Sequence, residues 1–279
     1  MVDLHTHSSE SDGTLSPAKL IKYARESGLS ALALTDHDTI AGLAEGERAA
    51  AEAGIRLIPG IEIEVSFSKG EFHLLGLGIV GWRGAFAEVL VSLQSERTLR
   101  NRVILGRMRE AGIDVEYSEV EDLAGGDIVG RPHFARLLVT KGIAKNTDDA
   151  FQRFLKPGMP YYASKKSLML REAADLIHRA GGKAVIAHPL SLYLGWKVLP
   201  DRIKSYRDEG VDGLEAYHSN ATYRECRRLE DIARSLGMLV TAGSDFHGTH
   251  IPSRRLGRTC DGRPIEDAFA APFLRDSRE

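Results

Sequence analysis

A chain of 279 residues, 43% hydrophobic and with a formal net charge of -2, is long enough for one barrel-sized domain with an insertion or for two ordinary domains. The near balance of 37 basic against 39 acidic residues excludes a general electrostatic attraction to nucleic acid and leaves room only for a local basic patch. Its two cysteines, Cys226 and Cys260, form no CxxC pair, and no apolar stretch approaches the roughly 20 residues of a membrane helix, so a soluble protein of a reducing cytoplasm is expected.

The chain opens directly into Val2-Asp3-Leu4-His5, an apolar run ending in histidine, with no basic segment or h-region ahead of it. Ser16-Pro17 reads as an N-cap followed by proline at the first helical position, with Leu20, Ile21 and Ala24 as the apolar face and Gly28 as the stop. Ala31 to Thr35 reads as a buried strand, Ala41 to Ala53 as a helix stopped by Gly54, and Ile55 to Ile58 as a strand again. This β-α-β-α-β order predicts parallel strands with crossover helices. Ile61, Ile63 and Val65 then alternate with Glu62, Glu64 and Ser66 before a second apolar run that carries His73. If the two runs form a hairpin, a three-residue loop pairs His73 with Val65, whereas a four-residue loop, Phe67 to Gly70, pairs it with Glu64 and places it on the face of Glu62.

From Arg83 to Tyr161 the alternation gives way to helical patterns: a long charged helix through Arg109, then helices near Ser118 to Leu123, Arg131 to Thr140 and Thr147 to Leu155, with Lys156 to Pro160 as the exit. Arg97, Arg100, Arg102, Arg107 and Arg109 are expected on a solvated helix face. The β/α rhythm resumes with a helix at Leu168 to Ala180, a strand at 184–187, a helix at Pro200 to Glu209, a strand at 212–217, a helix at Ala221 to Leu236 and a strand at 238–242. The tail after Asp261 carries no clear pattern.

Potential metal ligands cluster at the ends of these apolar runs: His5 and His7 with Asp12, Asp36-His37-Asp38, Glu62 with His73, His188, and Asp245 with His247. Imidazole and carboxylate without thiolate is the ligand mix of hydrolytic Zn, Mn or Fe centres, and the set is too large for one tetrahedral ion, which predicts two or three. Ligands at the carboxyl ends of successive strands describe the catalytic rim of a β/α barrel, with the helical stretch between them as a cap on that face. Asp36 and Asp38 are candidates for orienting His37 or for shaping a turn. His178 is expected at the surface, and His250 has no assigned task.

His5-x-His7, Thr35-Asp36-His37-Asp38, Pro59-Gly60-Ile61-Glu62, Ala187-His188-Pro189 and Gly243-Ser244-Asp245-x-His247 together resemble the polymerase and histidinol phosphatase (PHP) family of metal phosphoesterases, from residue 2 to about residue 250. Within it, Gly130-Arg131-Pro132-His133 resembles the branch of nucleotide 3′,5′-bisphosphate 5′-phosphatases and 5′-to-3′ RNA-trimming enzymes. The resemblance implies an α/β fold, a distorted seven-stranded (β/α) barrel formed by residues 1–82 and 162–279, with an all-helical insertion at 83–161. It also implies a ligand distribution. His5, His7, Glu62 and Asp245 hold one divalent ion, Glu62 bridges to a second completed by His73 and His188, and Asp12, His37 and His247 hold a third. Arg131 and His133 are implied to bind a substrate phosphate, with a metal-bound hydroxide as nucleophile; His218, at the end of a strand-like run, is a candidate phosphate ligand or general acid.

The expected activity is hydrolysis of the 5′-phosphate of a nucleotide such as a 3′,5′-bisphosphonucleoside. The alternatives are a 5′-to-3′ exonuclease on short RNA, a histidinol-phosphatase-like monoesterase, and a non-catalytic module associated with nucleotide or polymerase. The expected partner is thus a small phosphorylated molecule or a short RNA, with no membrane and no obligatory protein partner.

Overall fold

Ser16 caps the first helix as its sequence predicts, its hydroxyl accepting the Lys19 N–H at 3.4 Å, and Pro17 opens α1 (Pro17–Glu26) between β1 (Val2–Asp3) and β2 (Ala31–Leu34). Gly54, at φ 65°, supplies the left-handed turn that ends α2 (Leu43–Ala53) and releases the chain into β3 (Arg56–Val65). The structure, a computed structural model, describes residues 1–124, 129–164 and 166–274. The expected insertion at 83–161 and the final barrel segment also cover residues 125–128, 165 and 275–279, which lie outside the described residues.

The two short runs expected at Ile55 to Ile58 and Ile61 to Val65 are one continuous strand in β3. Its first half pairs in parallel with β2, and its second half pairs antiparallel with β4 (Phe72–Leu77). Glu64 faces His73 and Glu62 faces Leu75, the register of the longer hairpin loop, so Glu62, Glu64 and His73 share one face. β4 runs against its neighbours on both sides, so two ligands depart from the carboxyl-end pattern of the rest: His73 lies near the start of β4, and Glu62 lies inside β3.

Then follow α3 (Ala85–Glu110), α4 (Tyr117–Ala124), α5 (Arg131–Thr140) and α6 (Thr147–Ala150), the last running into a π turn over Phe151–Leu155. The barrel resumes as α7 (Leu170–Arg179), β5 (Lys183–Ile186), α8 (Leu199–Asp208), β6 (Gly213–His218), α9 (Tyr223–Ser235) and β7 (Leu239–Gly243). The seven strands stand in sequence order, parallel except around β4. The first and last meet through Leu4 N–H to Ala242 O at 3.3 Å and, beyond the strand ends, Asp245 N–H to His5 O and His7 N–H to Phe246 O, both 2.9 Å. The result is a nearly closed barrel.

Burial divides the apolar residues as this geometry requires. Val2, Leu4, Ala31, Ala33, Ile58, Leu75, Leu77, Val185 and Ala187 form one cluster drawn from successive strands, closed by Ile265, Ala270 and Phe273 of the tail. The alternate strand positions, such as Leu32, Leu34, Ile61, Ile63 and Leu74, pack with the helices. A separate cluster holds Ile104, Met108, Val120, Phe134, Leu138 and Leu155, so the helical segment has apolar packing of its own. Among the described residues no helix is long and apolar enough to cross a membrane.

Candidate metal centre

Glu62 stands at the middle of a ring of imidazoles. Its Oε1 lies 3.1 Å from His73 Nδ1 and 2.9 Å from His188 Nε2. Its Oε2 lies 3.0 Å from His37 Nδ1 and 3.3 Å from both His5 Nε2 and His7 Nε2. Beside this ring, Asp245 Oδ1 is 3.2 Å from His7 Nε2 and 3.5 Å from His5 Nε2, while Asp12 Oδ1 is 3.2 Å from His247 Nε2. Every residue of the expected ligand set enters at least one of four groups able to share an ion: His5, His7 and Asp245; His5, Glu62 and His188; His37, Glu62 and His73; and His7, Asp12, His37 and His247. The groups overlap through His5, His7, His37 and Glu62, so ions held by neighbouring groups would share ligands.

The chemistry of the donors fits divalent cations. His5 Nδ1 lies 3.0 Å from Glu215 Oε1, which places the proton on that nitrogen and leaves the Nε2 lone pair pointing at His7 Nε2, 3.1 Å away. The His5 Nε2 lone pair and His7 Nε2 thus converge with carboxylate oxygens on a fully buried space, where Glu62 Oε2 lies 3.0 to 3.3 Å from three imidazole nitrogens. Such a set is repulsive unless cationic charge lies between its members. The ionisation of the groups expresses the same demand. Burial disfavours charge on His7, yet the hydrogen bonds of Asp245 and Glu62 and the negative charge around it raise the imidazole to about 10. Burial likewise opposes ionisation of Glu62, and the surrounding histidines still hold its carboxyl well below the usual range.

Several groups that fix the ligands were not singled out in the sequence. Glu215, fully buried on β6, binds His5 through one oxygen and accepts the His188 N–H at 2.7 Å through the other. Ser191 Oγ lies 2.8 Å from His188 Nδ1, leaving Nε2 for Glu62. Asp3 accepts the N–H groups of His5, Ser244 and Gly257, and burial, partly offset by these bonds, raises its carboxyl to about 6. Arg254 Nη1 binds Asp245 Oδ2 at 2.6 Å. Asp38, His188 and Asp245 all adopt positive φ, a region that non-glycine residues seldom enter and that concentrates at functional sites.

Of the two flanking aspartates, Asp36 ties down the turn before Asp12, taking the Ser8 N–H and hydroxyl at 2.7 Å and the Ser11 hydroxyl at 2.6 Å. Asp38 binds Arg97 Nη2 at 2.6 Å. That contact corrects the expectation for the arginines of α3. Arg102, Arg107 and Arg109 are exposed, but Arg97 and Arg100 are buried, on the helix stripe of Leu90, Leu93, Ile104 and Met108, where α3 meets Asp38 and Glu64. Carboxylates at the contact make burial of cations possible.

His218 Nε2 lies 3.3 Å from Asp245 Oδ2, and its Nδ1 accepts the Asn220 N–H at 3.2 Å. On α5, Arg131 Nη2 is 3.4 Å from Glu71 Oε1 and 3.7 Å from Glu64 Oε1. His133 Nδ1 accepts the Gly130 N–H at 2.9 Å, so Nε2 carries the proton, and that buried nitrogen has no partner. Burial, reinforced by Arg136, His250 and Arg97 against the pull of Asp12, lowers the His133 imidazole to about 4 and keeps it neutral. His250 joins the two parts of the chain, with Nδ1 2.9 Å from Asp12 O and Nε2 2.8 Å from Arg136 Nη1. His178 is exposed and pairs with Asp212 at 2.7 Å.

The barrel and its ligand ring define a class, and comparison with known proteins agrees: the PHP domain family matches residues 3–158, and the chain belongs to that family. It is 37% identical over 248 residues to a 5′-3′ exoribonuclease of Haemophilus influenzae, covering 88% of this chain and 89% of that protein. It is 35% identical over 265 residues to a 3′,5′-nucleoside bisphosphate phosphatase of Chromobacterium violaceum, covering 95% and 93%. The solved structure of an amidohydrolase from Chromobacterium violaceum, with bound sulfate and no metal, superposes with a TM-score of 0.86 at 35% identity over 98% of this chain and 97% of that one. The family resemblance carried by the histidine and aspartate motifs is therefore borne out, as is the expected class of phosphoric ester hydrolase.

Proposed function

We propose that this chain is a metal-dependent phosphomonoesterase that removes the 5′-phosphate of a small nucleotide, with a 3′,5′-bisphosphonucleoside as its substrate. One observation carries the reading: besides the Glu62-centred set suited to cations that would take a phosphate, donors suited to an anion lie on the first turn of α5, where the buried His133 Nε2–H is unpaired and Arg131 opens the same helix. A substrate with two phosphates matches that division, and the Chromobacterium violaceum relative bears the name of such a phosphatase.

In this reading the division implied by the family resemblance applies, His5, His7, Glu62 and Asp245 holding one ion, Glu62, His73 and His188 a second, and Asp12, His37 and His247 a third, although the structure groups His188 with His5 and His73 with His37 about Glu62; Mn, Fe and Zn are all compatible with the donors. When bound, such ions activate water near neutral pH and neutralise the phosphoryl oxygens. The remaining work belongs to side chains. Glu215 and Ser191 set the tautomers of His5 and His188 so that each turns a lone pair inward. Arg131 and His133 hold the phosphate that does not react, the first by charge-assisted bonds and the second as a neutral donor. His218, whose Nδ1 is occupied by the Asn220 N–H, keeps its proton on Nε2 beside Asp245 and is assigned as a neutral hydrogen-bond donor to the reacting phosphate.

The identity with an exoribonuclease supports a second reading, in which the same ligand set cuts a phosphodiester at the 5′ end of a short RNA. A turnover screen with defined Mn, Fe or Zn loading separates the two. Release of inorganic phosphate from 3′,5′-bisphosphonucleosides is expected; ladders of mononucleotides from 5′-phosphorylated RNA favour the exonuclease, preference for histidinol phosphate favours that monoesterase, and binding without turnover returns the chain to an accessory module.

A further inference from the structure

We propose that Tyr193 is a stacking platform for the nucleobase of the nucleotide being hydrolysed, a specificity residue on the rim of the ligand set; this inference rests on the nucleotide reading above. Tyr193 ends the short turn Pro189–Leu192 that begins directly after His188. The turn is held firmly: Ser191 Oγ lies 2.8 Å from His188 Nδ1 and 2.9 Å from Glu71 O, Ser191 O accepts the Glu71 N–H at 3.0 Å, and Leu192 is fully buried. The backbone of Tyr193 is thus fixed with respect to a ligand of the centre.

Two properties set Tyr193 apart. It sits at φ 50° and ψ 35°, a left-handed conformation that costs a bulky residue. The residue is also 77% exposed, the most open large hydrophobic among the described residues, so burial does little to offset that cost. The ring lies against the tip of the β3–β4 hairpin, where a Cβ on Gly70 would come within 2.8 Å of Tyr193 Cδ2 and 2.2 Å of Ser191 O. The next residue, Glu71, is the one that Arg131 reaches at 3.4 Å from the helical side. Tyr193 and Arg131 therefore both meet the hairpin tip, at Gly70 and Glu71, with His73 just along the strand from it and His188 at the base of the turn.

A nucleotide with one phosphate at the ligand ring and another at Arg131 and His133 still has a flat, uncharged base to place. An exposed aromatic ring on a rigid turn suits it, because stacking uses the π-face that every base has. Tyr193→Asn removes the ring while keeping a residue that tolerates the left-handed conformation, and Tyr193→Phe keeps the ring without its hydroxyl. Steady-state kinetics on adenosine 3′,5′-bisphosphate, a short 5′-phosphorylated RNA and ribose 5-phosphate, with calorimetric binding of AMP, test the inference. The Asn variant is expected to raise KM for the bisphosphate and the RNA, and Kd for AMP, about ten-fold, and to lower the preference for nucleotide over ribose 5-phosphate by the same factor, with Phe restoring all of them. Unchanged KM and Kd overturn it. So does an equal loss on ribose 5-phosphate, which lacks a base, or a failure of Phe to rescue. A loss confined to RNA assigns the ring to a later nucleotide and overturns the present assignment. Wild-type protein that hydrolyses ribose 5-phosphate but no nucleotide removes the nucleotide reading itself, and this inference with it.

Discussion

At the scale of single residues, the ligands were legible because each is a histidine or carboxylate beside an apolar run, while the groups that aim them were not. Glu215 and Asp3 did leave a trace, a carboxylate inside an otherwise apolar strand, but which imidazole or N–H group each meets depends on chain crossings that spacing does not encode. Ser191 and Arg254 left none. The consequence of aiming can be measured. Glu215→Gln keeps the shape of the side chain but weakens the acceptor that fixes the proton on His5 Nδ1, so competition titration is expected to show metal affinity lower by roughly ten- to a hundred-fold. Unaltered affinity would leave Glu215 a packing residue. Arg131 presents a different case, since its contacts with Glu64 and Glu71 are long enough to be exchanged for a phosphate. Arg131→Ala is expected to lower kcat/KM for the bisphosphate about ten- to a hundred-fold, with a much smaller loss on a generic phosphomonoester. Equal losses on both would put Arg131 at the reacting phosphate instead.

At the scale of elements, β3 and α3 show where pattern reading succeeds and where it stops. The alternation of Ile61, Ile63 and Val65 with Glu62 and Glu64 made the face legible, and with it the register to His73. That β3 runs unbroken through Pro59 and Gly60 was hidden, because those residue types ordinarily punctuate strands. In α3 the charge of the arginines masked their place: Phe86, Leu90, Leu93, Arg97, Arg100, Ile104 and Met108 recur at helical spacing, so the stripe itself continues through both arginines. The pair of Arg97 with the fully buried Asp38 fastens this helix to the barrel mouth. Arg97→Met leaves that carboxylate without its guanidinium and is expected to lower unfolding stability by about 3 kcal/mol. Joining it to Asp38→Asn is expected to recover a large part of the loss. Denaturant titration of the single and double variants checks both, and additive losses would show that the two side chains act independently.

At the scale of the whole molecule, the barrel was readable from its β/α rhythm and the reversal of β4 against β3 from the hairpin, whereas the antiparallel pairing of β4 with β5 and the plug formed by Ile265, Ala270 and Phe273 were not, since neither has a local pattern. What joins the scales is charge. His5, His7 and Asp245 come from the two ends of a barrel closed by His5 O and Phe246 O, so an ion held among them ties the first strand to the last. Ions that bind the folded ring and not the unfolded chain must stabilise the fold, by about 2.7 kcal/mol for each site when free ion is a hundred times its dissociation constant. In a chain of this size each such ion is expected to raise the melting temperature by roughly 5 °C. Elemental analysis after metal-replete preparation is expected to find two or three divalent ions per chain, and scanning calorimetry to show a melt that drops on chelation and returns with added Mn. At most one ion would count against the shared ligand ring. A melt indifferent to chelation would mean that the convergent imidazoles and carboxylates are balanced by protons alone, and the assignment of Glu62 as a ligand shared between ions would fall with it.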